Sequence, residues 1–184
     1  MSMCCILFMT SDDCIDHLHK APQELEAFMW ANVPPQKPSR LMQVLGVKQA
    51  VRPTLPDDCC RREGDEYVVD TAWHGIHFLL TGTAWDDVGP ASFLVARGTV
   101  IGSGPAVSFT SYETKEIQVA VSRVTDDALR QRFDPNEMNH KMIYPMNWDH
   151  EPNCFTEVLD EITDMRRFLE NASQKRMGLI RYLQ

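Results

Sequence analysis

The sequence predicts an α+β fold: one domain, with a small mixed sheet formed by the terminal strands and several helices packed against it. Three observations carry that expectation. An apolar run, Met3 to Met9, opens the chain, and a second apolar segment, Leu179 to Leu183, closes it after Gly178. Between them the apolar spacing is mostly helical and is punctuated by helix-start residues. Strands at both ends with helices between them imply a sheet that joins the ends.

The elements follow in chain order. The opening run reads as a buried strand, because a membrane-spanning helix needs about 20 apolar residues. No Lys or Arg precedes it and no small-residue cleavage site follows, so a signal peptide is not expected. Ser11, Asp12 and Asp13 offer oxygens to the free amides of a helix that buries Ile15 and Leu18. Pro22 suits the first position of a second helix carrying Leu25, Phe28 and Met29. Residues 32–70 read as a Pro-rich irregular insertion, with helical turns expected only around 41–45. Within it, residues 57–70 hold six acids against Arg61 and Arg62, the composition of a solvated loop.

Residues 70–81 predict the central helix. Trp73, Ile76, His77 and Leu80 share one face, Asp70 is placed to cap it and Gly82 to stop it. Residues 90–96 predict a short helix, Val100 and Ile101 an edge strand, Gly102 and Gly104 a turn, and 107–109 a further strand. Thr110 and Glu113 form a capping box for a helix that buries Ile117, Ala120, Val121 and Val124. Thr125 starts another helix, with Leu129 and Phe133 inward, and Asp134-Pro135 ends it. A turn through Met138 and a loop with Tyr144, Pro145 and Trp148 follow. Residues 156–174 give the clearest helix, striped by Phe155, Val158, Leu159, Ile162, Met165, Leu169 and Ala172. Its acids gather toward the start and its bases toward the end, which complements the helix dipole.

Composition narrows the function. A chain of 184 residues, 43% hydrophobic and 24% charged, is long enough for one well-buried core. A net charge of −8 argues against a nucleic-acid binder, and no segment is apolar enough to propose a membrane. The six cysteines, at 4, 5, 14, 59, 60 and 154, read as free thiols in a reducing cytoplasm. Cys4 and Cys5 are expected in the buried strand, and Cys59-Cys60 in a polar loop open to oxidation.

No specific catalytic motif is present. His74 and His77 are spaced to face one ligand from a helix, but no third ligand accompanies them, so neither a metal site nor a cofactor is expected. On the apolar face, His77 reads as a core histidine bonded to a carbonyl, carboxylate or buried water, and His74 as exposed. Cys14 and His17 share one short helix, whereas triad members normally come from different elements. Trp85 and Trp148 are loop tryptophans beside Asp86, Asp87 and Asp149. Each either anchors a partner or caps the core.

The opening strand and its capped helix, the segment Trp73-His74-Gly75-Ile76-His77-Phe78-Leu79-Leu80-Thr81-Gly82, Gly104-Pro105-Ala106, Met138-Asn139, and Ile143-Tyr144-Pro145 with Trp148 together resemble the YfbM-like family of bacterial proteins. The resemblance spans nearly the whole chain outside residues 32–70, where this chain carries extra length relative to shorter members. It implies an α+β domain of unknown function and brings no catalytic residues with it.

The expected function is therefore a non-catalytic, cytoplasmic protein-binding module, in its specific form an immunity protein that neutralises a cognate interbacterial toxin by direct binding. The candidate binding residues are Asp57, Asp58, Glu63, Asp65, Glu66, His74, His77, Trp85, Asp86, Asp87, Trp148 and Asp149. The acids of 57–70 and 149–164 would steer a basic toxin cleft. The alternative is a small enzyme or ligand-binding protein with a pocket around His74, His77, Thr81 and Trp85. There His77 would be a general base oriented by Asp86.

Overall fold

The computed structural model describes residues 3–30, 55–59, 61–150 and 153–184. The opening strand β1 (Cys5–Thr10) is buried at all six positions. A strand covered on both faces has no reason to alternate, which explains its unbroken apolar run. It pairs antiparallel with the closing strand β5 (Gly178–Leu183), Cys5 opposite Leu183 and Thr10 opposite Gly178. The two ends of the chain thus meet near the middle of the sheet.

Three more strands complete it: β2 (Glu66–Val69), β3 (Thr99–Val100) and β4 (Ala106–Phe109), in the order β2-β1-β5-β4-β3. All four pairings are antiparallel, where a mixed sheet was expected. Each strand enters from the end at which its neighbour leaves, so no parallel crossover is needed. Strand β2 corrects the solvated-loop expectation for 57–70. It lies at the sheet edge with Glu66 and Val68 exposed and only Val69 buried, so its composition is that of a polar segment. The turns expected at 41–45 lie outside the described residues.

One face of the sheet carries α1 (Asp12–Lys20) and α2 (Leu25–Met29), joined by a 3-10 turn at Pro22–Glu24 and packed on Ile6, Phe8 and Ile180. The other face carries α3 (Trp73–Thr81), α4 (Ser111–Arg123), α5 (Asp126–Arg132), α6 (Pro135–His140) and α7 (Cys154–Gln174), over Leu7, Met9, Val107 and Leu179. Among the described residues, seven α-helices therefore enclose the sheet from both sides, an α+β architecture.

Local signals account for four of the helix starts, those of α1, α4, α5 and α6. The Ser11 hydroxyl accepts the Cys14 amide, and the Thr110–Glu113 box closes in both directions. Thr125 caps α5. Asp134, expected only to end that helix, also caps α6 with Pro135 at its first position. One link is non-local: the Asp12 carboxylate accepts the Ser111 amide at 2.7 Å and its hydroxyl at 2.6 Å. A single carboxylate so serves the starts of α1 and α4, where the helix dipoles favour negative charge.

The cysteines require a correction. Cys14 and Cys59 are joined in a disulfide and are 0% and 1% exposed. The 3-10 turn at Asp57–Cys59 folds onto α1, so Cys59 is not a solvent-facing thiol. Cys5 is buried as expected and keeps a free thiol, whereas Cys4 is only half-buried. Cys60 lies outside the described residues.

The bond spans a sequence separation of 45, for which loop-closure entropy gives about 4 kcal/mol. Denaturant unfolding with and without reductant is expected to differ by roughly that amount. Cys14→Ser should match the reduced protein and no longer respond to reductant. Equal stability in both conditions would show that the crosslink contributes nothing.

Candidate functional site

Helix α3 is buried from Trp73 through Leu80 without interruption. A helix that is apolar on every side sits inside the molecule, a stronger enclosure than its one-face pattern predicted. The Asp70 side chain does not cap it. The Asp70 carbonyl accepts the Trp73 amide instead, and Ala72 occupies the cap position. Gly82 ends the helix as predicted: its φ of 79° is left-handed, and its amide bonds the Phe78 carbonyl. The Leu79 and Leu80 carbonyls both accept from Arg132 Nη1, at 2.7 and 2.8 Å.

His74 is 0% exposed, against the expectation of an exposed ring. Its Nε2 donates to the Ala84 carbonyl at 2.8 Å, and its Nδ1 accepts the Tyr144 amide at 3.0 Å. Those partners set the neutral Nε2–H tautomer. Burial lowers the ring's pKa from its ordinary value. Each bond reaches a different loop, so one imidazole clasps residues 82–89 to residues 141–150. The rings of Trp73 and Trp85 lie 5.2 and 4.1 Å from it, and Tyr144 stacks on Trp73 at 6.0 Å.

The two loop tryptophans resolve differently. Trp148 is 3% exposed; its indole N–H donates to the Ile143 carbonyl at 2.7 Å, and its backbone amide donates to Asn139 Oδ1 at 3.1 Å. Its six-membered ring lies so close to Gly75 that a Cβ there would overlap Cη2 and Cζ2. Trp148 therefore caps the core. Trp85, in contrast, is 59% exposed. Asn139 also donates to Asp149 at 2.7 Å; that carboxyl is held below its usual range by its own backbone amide and then by Asn139.

His77 is 0% exposed, and neither ring nitrogen has a hydrogen-bond partner among the described residues, so the expected carbonyl or carboxylate contact is not made among them. Burial, then the neighbouring His74 and Arg181, lowers its pKa to about 4. A general base must come within hydrogen-bond reach of its substrate, and this ring is sealed. Asp86 is not its partner: it is exposed, and its carbonyl accepts the Thr83 hydroxyl. Thr81 Oγ1 is spent on the His77 carbonyl at 2.7 Å. A surface cavity is lined by Pro90, Arg97, Phe109, Glu113, Glu116 and Ile117, none of the four residues of the expected pocket.

The remaining acids fall elsewhere. Asp65 is 7% exposed, and its carboxylate accepts the Arg62 amide at 2.8 Å. Glu66 pairs with Arg61 at 3.2 Å, and that guanidinium lies 4.6 Å over the Phe8 ring. Part of this acidic segment thus has structural partners rather than solvation alone. Asp57 and Glu63 are exposed in the same segment, and the Asp58 side chain lies outside the described residues. Since Cys59 and Phe8 belong to the α1 side of the sheet and α3 to the other, the candidates form two groups and not one site. Asp87 bonds the Gly89 amide and lies 3.5 Å from Arg97. Among the described residues no cluster of three His, Cys, Asp or Glu side chains is arranged for a metal ion.

Sequence reasoning missed Met142 and Met146, 69% and 53% exposed, flanking Tyr144. Both hold positive φ, 54° and 64°, which non-glycine residues seldom adopt. The available signal was a pair of flexible, polarisable side chains in a polar loop. Val88, 56% exposed, lies in the loop of Trp85.

A family model described as a domain of unknown function, DUF1877, matches residues 1–182. No curated protein matches the sequence. Among solved structures, YfbM from Escherichia coli, a protein of unknown function, is similar with a TM-score of 0.64 and 13% identity, covering 100% of both chains. That likeness shows the fold alone. Among the described residues, no helix is long and apolar enough to cross a membrane.

Two outcomes follow from this geometry. Gly75→Ala should displace the Trp148 ring, cost at least ~1–3 kcal/mol and red-shift tryptophan emission; an unchanged melt and spectrum would refute the close contact. His77 titrates at 6.5 when unfolded and about 4 when folded, so the unfolded chain takes the proton first. Stability should therefore fall as pH drops from 6.5 toward 4, by up to about 3 kcal/mol from this group. His77→Phe should flatten that part of the pH profile, measured by denaturant unfolding.

Proposed function

The chain belongs to the DUF1877 family, and we propose that it is a non-catalytic protein-binding module that docks a basic partner on the surface clasped by His74. The observation that carries this reading is Trp85, which is 59% exposed while its ring rests on the buried His74. An aromatic side chain already ordered before binding loses little entropy in a contact and buries a large area. The loop held by the other nitrogen of His74 adds Met142 and Met146, methionines of the kind that adapt to a partner's shape. Asp86 and Asp149 are exposed on the same two loops, and the chain's net charge of −8 favours encounter with a basic surface.

In its specific form the partner is a cognate interbacterial toxin, and this protein is the immunity protein that blocks it. The sealed His77 supports binding over catalysis at this place. The cytoplasm is the proposed location, and the Cys14–Cys59 bond, of a kind rare in reducing compartments, is the observation against it. Fractionation of expressing cells locates the protein.

The test is a pull-down and titration with the protein encoded by the adjacent gene, together with protection from its toxicity. Trp85→Ala is expected to weaken binding about 30-fold or more, the scale of a central aromatic contact. Asp86→Lys should mainly slow association and reduce its dependence on salt. An adjacent gene product that neither binds nor is neutralised would sink the toxin reading. Full affinity in Trp85→Ala would remove this surface from it.

A further inference from the structure

The two bonds of His74 respond differently to a proton. Nε2–H points at the Ala84 carbonyl, 2.8 Å away, and a charged ring makes that bond as well as a neutral one. Nδ1 faces the Tyr144 amide N–H at 3.0 Å. A proton on this nitrogen turns an acceptor into a donor, and two donors then oppose each other. The ring is 0% exposed, so neither donor can turn to solvent while the loop stays in place.

The surroundings offer a charged ring no substitute for the lost bond. Within α3 the titratable neighbour is His77, with ring centroids 6.5 Å apart and a pKa of about 4. Trp85 lies against His74 at 4.1 Å, and an aromatic ring accepts a cationic neighbour. Charged groups of the adjoining elements are directed elsewhere. Lys141 pairs with Glu137, Asp149 accepts from Asn139, and Asp87 accepts from the Gly89 amide. Arg132 serves the Leu79 and Leu80 carbonyls, Glu161 of α7 accepts from Tyr67, and Arg181 of β5 donates to the Phe93 carbonyl. Asp86, His140 and His150 are exposed.

The flanks of Tyr144 are anchored independently of His74. Ile143 is 0% exposed, and Trp148 bonds the Ile143 carbonyl and Asn139. Residues 144–146 lie between these anchors, and the Tyr144 amide is the backbone group that ties them to α3.

We propose that His74 is a proton-operated latch on one side of the Trp85 surface: protonation of Nδ1 releases residues 144–146, with Met146, and leaves the Trp85 loop and Trp148 seated. Burial holds the ring below its ordinary pKa of 6.5, so the latch is shut at neutral pH and opens as pH falls through the folded-state value. The consequence for binding, a weaker hold on the partner in acid, rests on the docking function proposed for this surface. The latch itself does not.

NMR of the full chain, with no partner present, provides the test. The His74 ring nitrogens and the amide exchange rates are followed from neutral pH toward 4, where His77 takes its own proton. Protection of the Tyr144 amide should fall about tenfold or more as His74 charges, the scale of one lost hydrogen bond. The Val88 amide, bonded to Ser92 Oγ, and the Trp148 amide, bonded to Asn139, should keep their protection. His74→Asn, whose Oδ1 can accept the Tyr144 amide at any pH, should remove the response. Should that variant not fold, the unaltered protein decides alone. Unchanged protection of Tyr144 through the titration of His74 overturns the proposal. So does simultaneous loss at Val88 and Trp148, or a ring that stays neutral until the chain unfolds. Because no partner is used, these results leave the docking function to its own test.

Discussion

The enclosure of α3 is the constraint on which the rest of the structure depends. A helix buried from Trp73 to Leu80 cannot leave its terminal groups or its polar side chains to water. Neighbouring elements must supply what solvent would have supplied. Arg132 reaches from α5 to the carbonyls of Leu79 and Leu80, and Gly82 turns the chain away in a left-handed conformation. Trp148 closes over Gly75, the one position on the helix where an indole can approach the backbone this closely. The loops around α3 are thus shaped by the need to complete it.

His74 shows how this enclosure converts a reactive residue type into a structural one. Both nitrogens are occupied by backbone groups, one as donor and one as acceptor, an arrangement available only to the neutral ring. Burial disfavours the charged form and so preserves the clasp at neutral pH. The result is a pair of loops held together from beneath, with Trp85 resting on the same ring that holds them. A rigid support beneath an exposed aromatic is what distinguishes this surface from a merely apolar loop.

Charge is distributed in the same economical way. Asp12 joins the starts of two helices, Asp65 bonds the Arg62 amide, and Glu66 pairs with an arginine lying over Phe8. The acids that looked like one binding segment are therefore partly consumed by the fold. Those left exposed near Trp85 are fewer, and they sit on the other side of the sheet. Arg181 is the counterexample: a charge placed in the apolar centre, where among the described residues only the Phe93 carbonyl accepts from it.

How much was legible in advance follows from the range of the interactions. The apolar run of β1, the Ser11 and Thr110 caps, the Gly82 stop and the stripe of α7 depend on residues a few positions apart, and the sequence alone determined them. The joining of both termini in one sheet was equally legible, since two apolar strands at the ends have few other ways to bury themselves. The edge strand β2 was not, because an exposed edge keeps a loop's composition. His74 bonds residues 10 and 70 positions away, and Cys14 finds a partner 45 positions on. No local spacing encodes such pairs. They are decided when the chain closes on itself, and only the tertiary structure shows that the loop tryptophans divide into one that caps the core and one that faces outward.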